Sequence, residues 1–212
     1  MSTLYASNPA LQNQFTQLYQ TQINAINNAA ARQAGIALGQ QVASTILSQR
    51  ANDGANVNAT YTPGSGPGHY QGNFPPNAAA LGSSWPTAQT FSLNSASQFR
   101  PVAPPALNRA QYTAAYNQVR DFGGRNSSVR TADQTQIAWF WANDRDGTSK
   151  PPGQLNQMTQ VIAAQQFAGM SEDERLFQNA RVFALTNIAM ADAAIAAWDA
   201  KYATDLDFWR PI

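Results

Sequence analysis

The sequence predicts an all-α protein, a helical bundle carrying one long wrapped loop. Three observations point that way. Apolar residues recur at three- and four-residue intervals in separate stretches of a chain of 212 residues. Helix-start chemistry stands in front of several of them, as at Asn8-Pro9, Thr131 with Gln134, and Ser171 with Glu174. Between the second and third stretches, residues 51–107 are dominated by Gly, Pro, Asn and Ser, which interrupt helices. The expected organisation is one domain over residues 1–212, with 51–107 an ordered loop inside it.

Taken in order, Asn8 caps a first helix that opens on Pro9 and carries Leu11, Phe15, Leu18, Ile23 and Ile26 at roughly helical spacing. A second helix, about Arg32 to Gln49, sets Leu38, Val42 and Ile46 on one stripe. Its Gly35 and Gly39 are four apart, a packing feature that lets another helix approach closely. The loop follows, with Thr62-Pro-Gly-Ser-Gly-Pro-Gly68 and Pro104-Pro105 as strong breakers. A loop this long is either disordered or functional. Its spaced aromatics Tyr61, Tyr70, Phe74, Trp85, Phe91 and Phe99 favour an ordered strap over a disordered segment, because disordered chains are poor in aromatics. His69, the sole histidine, reads as a loop position, with no second histidine or carboxylate cluster near it in sequence.

Three shorter helices come next. The first runs about Asn108 to Phe122 with Tyr112, Ala115, Tyr116 and Val119 inward, stopped by Gly123-Gly124. The second opens on the Thr131/Gln134 capping box and presents Ile137, Phe140 and Trp141. Asn143-Asp-Arg-Asp-Gly147 lacks the distal Glu of a calcium loop and reads as a polar turn. The third follows Pro151-Pro152-Gly153 and carries Leu155, Met158, Val161 and Ile162. The last helix opens on Ser171-Glu-Asp-Glu174, with acidic residues where the helix dipole favours them. Leu176, Ala180, Phe183, Asn187, Met190 and Ala194 form the face expected to be buried. Asn187, Asp192 and Asp199 are polar exceptions, expected to make at least one buried hydrogen bond. Ion pairing of a carboxylate to Lys201 or Arg210 is the sharper alternative.

Composition excludes several functions. Charged residues are 12% and the formal net charge is +1, so the clustered Lys and Arg of a nucleic-acid footprint are missing. With no cysteine, disulfides and thiolate metal sites are excluded. No signal peptide and no apolar run of membrane-span length is visible. The expectation is a soluble protein whose compartment is undetermined.

The final stretch carries the chemistry. Lys201 and Arg210 lie beside aromatic residues at the end of an apolar helix, and two fixed cations are what a tetrahedral oxyanion needs. The run Ala189-Met-Ala-Asp-Ala-Ala-Ile-Ala-Ala-Trp-Asp-Ala-Lys-Tyr202, followed by Asp207-Phe-Trp-Arg-Pro-Ile212, resembles the first active-site motif of bacterial vanadium-dependent haloperoxidases. These enzymes belong to the type 2 phosphatidic-acid phosphatase superfamily. Further blocks resemble the family in the same order: Gly35-Ile-Ala-Leu-Gly-Gln-Gln-Val-Ala43, Arg50-Ala-Asn-Asp-Gly54, Gly68-His-Tyr-Gln-Gly-Asn-Phe-Pro-Pro76, Gln98-Phe-Arg-Pro101 and Arg130 to Trp141. The resemblance implies a haloperoxidase-type bundle, incomplete here, in which Lys201 and Arg210 bind vanadate, or phosphate as a substitute. Asp199, Trp209 and Asp192 are then the residues expected to support them.

Two departures accompany the resemblance. The family usually has six residues between the Lys and the Arg, whereas Tyr202 to Trp209 are eight. On a continuous helix a nine-position separation places two side chains on opposite faces. Either the chain leaves the helix after Lys201, or one cation is not a ligand. The family's later motifs, Pro-Ser-Gly-His and an Arg with a His a few positions beyond, do not occur in this sequence. The resemblance therefore implies no catalytic residue in this chain alone and no vanadium-bonding His. Halide oxidation by peroxide would need a second protein chain or a C-terminal part carrying those motifs. A phosphatase of the same superfamily and a non-catalytic subunit that self-assembles are the alternatives. No nucleic-acid partner and no membrane span is expected.

Overall fold

The computed structural model describes residues 3–57, 59–70, 80–203, 208 and 209. Those residues form six α-helices and one 3-10 turn, with no strand among them. The helices are α1 (Pro9–Asn24), α2 (Ala29–Arg50), α3 (Ala110–Gly123), α4 (Ala132–Trp141), α5 (Lys150–Gln166) and α6 (Glu172–Tyr202), and the 3-10 turn is Trp85–Thr87. The all-α expectation holds. The chain divides into two compact units, Met1–Asp53 and Gly54–Ile212.

In the first unit the Asn8 side chain accepts the Leu11 N–H at 3.1 Å and Pro9 opens α1, as its sequence dictates. The helix stops at Asn24, short of Ile26, because a second cap intervenes: Asn28 Oδ1 accepts the Ala31 N–H at 3.0 Å and starts α2 three residues earlier than its apolar stripe indicates. Tyr5 packs on Phe15, ring centroids 5.9 Å apart. A Cβ built on Gly35 or Gly39 meets nothing within 4 Å, so no neighbouring helix uses that notch among the described residues.

In the second unit the caps read from sequence are present. Thr131 and Gln134 exchange side-chain and backbone hydrogen bonds at the start of α4, and Ser171 and Glu174 do so at the start of α6. Pro151 and Pro152 do not precede α5 but sit in its first turn, where a missing N–H costs nothing. The Asn143–Gly147 segment is a polar turn closed by a lysine. Lys150 Nζ donates to the carbonyls of Asp144 and Arg145 at 2.6 and 2.8 Å. Arg130 joins two helices, its Nη1 donating to the carbonyls of Phe122 and Gly124 at 2.6 and 3.0 Å, at the C-terminus of α3.

The hydrogen bonds from the Ser171 hydroxyl, and secondarily from its N–H, hold the Glu174 carboxyl below its ordinary value. The folded cap therefore favours the carboxylate. Its contribution is complete above the pH where an unfolded glutamate titrates, about 4.3, and is lost as pH falls through the lower folded value. An NMR titration of the Ser171 amide is expected to show a midpoint below the ordinary glutamate range. In Ser171→Ala that midpoint should move upward.

α5 and the 3-10 turn both pack on α6. The buried face of α6 is Asp192, Ile195 and Asp199, not the expected Leu176–Ala194 face, and Leu176 is 70% exposed. Alanine is so frequent along α6 that several faces are nearly equivalent; the two carboxylates that find partners decide which one turns inward. The stripes elsewhere are also less buried than expected. Leu38, Val42, Ile46, Tyr116, Val119, Ile137, Phe140, Trp141, Val161 and Ile162 are all exposed. By length and composition α6 could cross a membrane, which the sequence expectation missed. Its most apolar 18-residue window is 11% buried, and the helix carries two buried, hydrogen-bonded carboxylates, Asp192 and Asp199.

Candidate functional site

The last three turns of α6 are held to the loop before α3 by interactions spaced along the helix. Asp192 is 4% exposed. Its Oδ1 accepts the Phe91 N–H at 2.7 Å, and its Oδ2 accepts those of Ser92 and Leu93 at 2.7 and 3.2 Å. One carboxylate thus satisfies three backbone donors of a segment that forms no helix or sheet of its own. Two turns on, Asp199 receives both arms of Arg100, Nε to Oδ2 at 2.7 Å and Nη2 to Oδ1 at 2.8 Å, a bidentate pair. The expectation that the polar residues of α6 make buried hydrogen bonds is met by Asp192 and Asp199. Asn187 pairs instead with Asn156 of α5, at 3.1 and 3.2 Å.

The other side of the helix end is aromatic. Trp198 Nε1 and the Tyr202 hydroxyl both donate to the Leu81 carbonyl, at 3.0 and 2.5 Å. Trp198 stacks at a tilt on Trp85, 5.8 Å between centroids, and Tyr202 on Tyr61 at 4.8 Å. Burial, with a smaller effect from Tyr70, pushes the Tyr202 phenol above its ordinary value and keeps it a donor. Gly82 makes this approach feasible. Its φ is +70°, and a Cβ there would run into Trp198 Nε1. Gly82→Ala is expected to lower stability by about 2 kcal/mol through a strained backbone and a displaced indole. A red-shifted tryptophan emission would report that displacement, and an unchanged spectrum and melting curve would contradict it.

Lys201 lies on this aromatic side. Its ammonium is 4.9 Å from the centre of the Trp198 ring and 5.4 Å from that of Tyr202. With Tyr61, Tyr70, Ala197, Trp198, Tyr202 and Phe208 it lines a pocket of about 350 Å³. A second pocket of about 400 Å³ lies across Tyr202 and is lined by Thr60, Tyr61, Ser83, Pro86, Arg100, Asp199, Tyr202 and Ala203. The helix ends just beyond Lys201: Ala203 is already extended, with φ −63° and ψ 136°. Of the two options for the long Lys–Arg spacing, the chain takes the first and leaves the helix.

Trp209 is tied down twice. Its N–H donates to the Gly68 carbonyl at 2.8 Å, and its indole Nε1 donates to the Tyr112 hydroxyl on α3 at 3.0 Å. This brings the segment of the sole histidine, His69, beside the chain that follows α6. Arg210 lies outside the described residues. Asp199 pairs with Arg100, a residue of the block Gln98-Phe-Arg-Pro101. A basic residue in a quoted block, and a second aspartate seven positions after the first, were the signals available. Among the described residues the pocket offers one cation, Lys201, and is lined by no histidine. Those groups alone do not fit a vanadate, which takes several donors.

The fold and this helix end define an all-α scaffold of the vanadium haloperoxidase type. Two comparisons bear on that class. The chain is 32% identical to the vanadium chloroperoxidase of Curvularia inaequalis in a match covering 51% of this chain and 20% of that protein. It superposes on the crystal structure of a bacterial vanadium-dependent iodoperoxidase with a TM-score of 0.64 and 26% identity, covering 95% of this chain and 48% of that one. No family model matches. The chain is thus vanadium haloperoxidase-like in sequence and in fold, and it spans about a fifth and about half of the lengths of these two relatives.

Proposed function

We propose that this chain contributes the Lys201/Arg210 half of an oxyanion site, for vanadate or phosphate, to a haloperoxidase-like enzyme. The remaining donors and the histidines come from a second chain or from a C-terminal part carrying the later motifs. The observation that carries the reading is the run Trp198-Asp-Ala-Lys-Tyr202 and Phe208-Trp-Arg210, whose described residues lie at the exit of α6. Asp199 and Asp192 support the reading by fixing that helix end, and Trp209 by tying the following chain to Gly68 and Tyr112. In a completed site, Lys201 and Arg210 would help to hold vanadate, which would supply the chemistry for halide oxidation by peroxide.

Exposed apolar side chains on α4, α5 and α6, among them Trp139, Phe140, Trp141, Ile162 and Phe177, favour a covering polypeptide. The same side chains also favour the second reading, a non-catalytic subunit that self-assembles. Mixing the chain with a polypeptide bearing Pro-Ser-Gly-His and the distal Arg and His should create vanadate-dependent bromide oxidation, lowered about a hundredfold or more by Lys201→Ala. Phosphate-ester hydrolysis by the same mixture, without bromide oxidation, would identify the phosphatase instead. Regular self-assembly with neither activity would favour the structural subunit.

A further inference from the structure

We propose that α2 is a self-association surface: its face carrying Gly35, Leu38, Gly39, Val42 and Ile46 docks antiparallel on the same face of a second copy of this chain. The inference concerns the first unit alone and stands or falls independently of the oxyanion reading.

Those five positions lie within about 100° of one another on a helix of 3.6 residues per turn, so they share one stripe. Leu38, Val42 and Ile46 are 61%, 55% and 46% exposed, and no residue of α2 is buried. Gly35 and Gly39 interrupt the stripe, and a Cβ on either meets nothing within 4 Å. Both stand inside the helix, where glycine is destabilising, and this chain's own packing makes no use of them. A close approach by another helix uses both.

A second copy fits this face by shape and by charge. In an antiparallel pair centred between Gln40 and Gln41, each Gly39 lies level with the partner's Val42 and each Gly35 with the partner's Ile46. Every notch then faces a branched side chain, and the two-fold axis makes the match reciprocal. No charged residue occurs from Gln33 to Gln49, so the contact strips water from no ion along that length. Arg32 stands in the first turn, where its own helix dipole disfavours a cation. Antiparallel docking sets it near the carbonyl end of the partner's α2, where a cation is favoured. Arg50 at that end already pairs with Asp53 at 2.8 Å, which offsets its repulsion of an incoming Arg32. A parallel pair would instead set Arg32 beside Arg32 and align the two dipoles. From Arg32 to Arg50 the face is about 27 Å long. One helix pair of that length falls below the roughly 1,200–2,000 Å² of stable complexes, so a weak dimer is expected, with Kd about 10–100 µM.

The test is sedimentation of the whole chain across that concentration range, for the wild type and for Gly39→Leu. Reversible dimerisation is expected, weakened about tenfold or more in Gly39→Leu. Helix content should not fall in the variant, because position 39 is open and leucine favours helix. The chain has no cysteine, so oxidation of single-cysteine variants reads the orientation. Val42→Cys lies close to the two-fold axis and should cross-link to itself. Ile46→Cys should not cross-link alone but should do so when mixed with Gly35→Cys. Self-cross-linking of Ile46→Cys would mean a parallel pair and overturn the proposal. A monomer throughout, or dimerisation unaffected by Gly39→Leu, would overturn it as well. So would protection of Val42→Cys from cross-linking by a polypeptide bearing Pro-Ser-Gly-His and the distal Arg and His, because that chain would then be what covers the face.

Discussion

Asp192→Ala is expected to release the loop at Phe91–Leu93 from α6 and to be among the most damaging single changes in the second unit. The wild-type carboxylate accepts three backbone N–H groups at 2.7, 2.7 and 3.2 Å and is itself 4% exposed. Alanine leaves those donors without an acceptor and opens a small void behind them. An orphaned buried donor costs about 1–3 kcal/mol. Because this loop lies at the surface and water can reach part of it, a total of about 3 kcal/mol is expected rather than the full sum. Hydrogen exchange at Phe91 and Ser92 should accelerate about a hundredfold. Asp192→Asn is a sharper comparison. It keeps the size but exchanges one acceptor for an amide donor facing other donors, so it should be nearly as harmful as alanine. Wild-type exchange rates in the asparagine variant would show that the carboxylate is not what holds the loop.

Arg100→Met is expected to cost about 2–3 kcal/mol, read from the urea midpoint of the second unit's unfolding. The pair is bidentate, and its acid is buried while its base is about one-third exposed, with side-chain exposures of 9% and 36%. Removing the cation strands a buried carboxylate, which for a fully enclosed pair costs about 3–5 kcal/mol. Solvent access to Arg100 reduces that figure. Arg100→Lys should recover only part of the loss, since an ammonium cannot present two parallel donors. The double variant Arg100→Met/Asp199→Leu should be more stable than Arg100→Met alone, because no charge is then left without a partner. Additive losses in the double variant would mean that the two side chains act independently.

Much of the second unit's local architecture was legible in the sequence. The starts of α4 and α6 follow from Thr131/Gln134 and Ser171/Glu174, whose capping bonds span only three residues. The end of α3 follows from Gly123-Gly124, and the polar turn at Asn143–Gly147 from the missing distal acid. The start of α5 was misread because Pro151-Pro152 is equally compatible with a break and with a first helical turn. Asn28 was overlooked as a cap because the apolar stripe of α2 begins after it. At the candidate site, Lys201 was placed correctly at a helix end, whereas Arg100 and the aromatic lining contributed by Tyr61 and Tyr70 were not anticipated.

What the sequence determined by itself was the all-α class, most helix starts and a lysine at the exit of the longest helix. These depend on bonds and periodicities within a few residues, so the local order of side chains is sufficient. The tertiary structure alone decided which face of the alanine-rich α6 is buried, which base pairs with Asp199, and what surrounds Lys201. Those outcomes join residues about a hundred positions apart, as in Phe91 with Asp192 and Arg100 with Asp199. Several partners of suitable charge or shape exist along the chain, and only the folded path of the backbone selects among them.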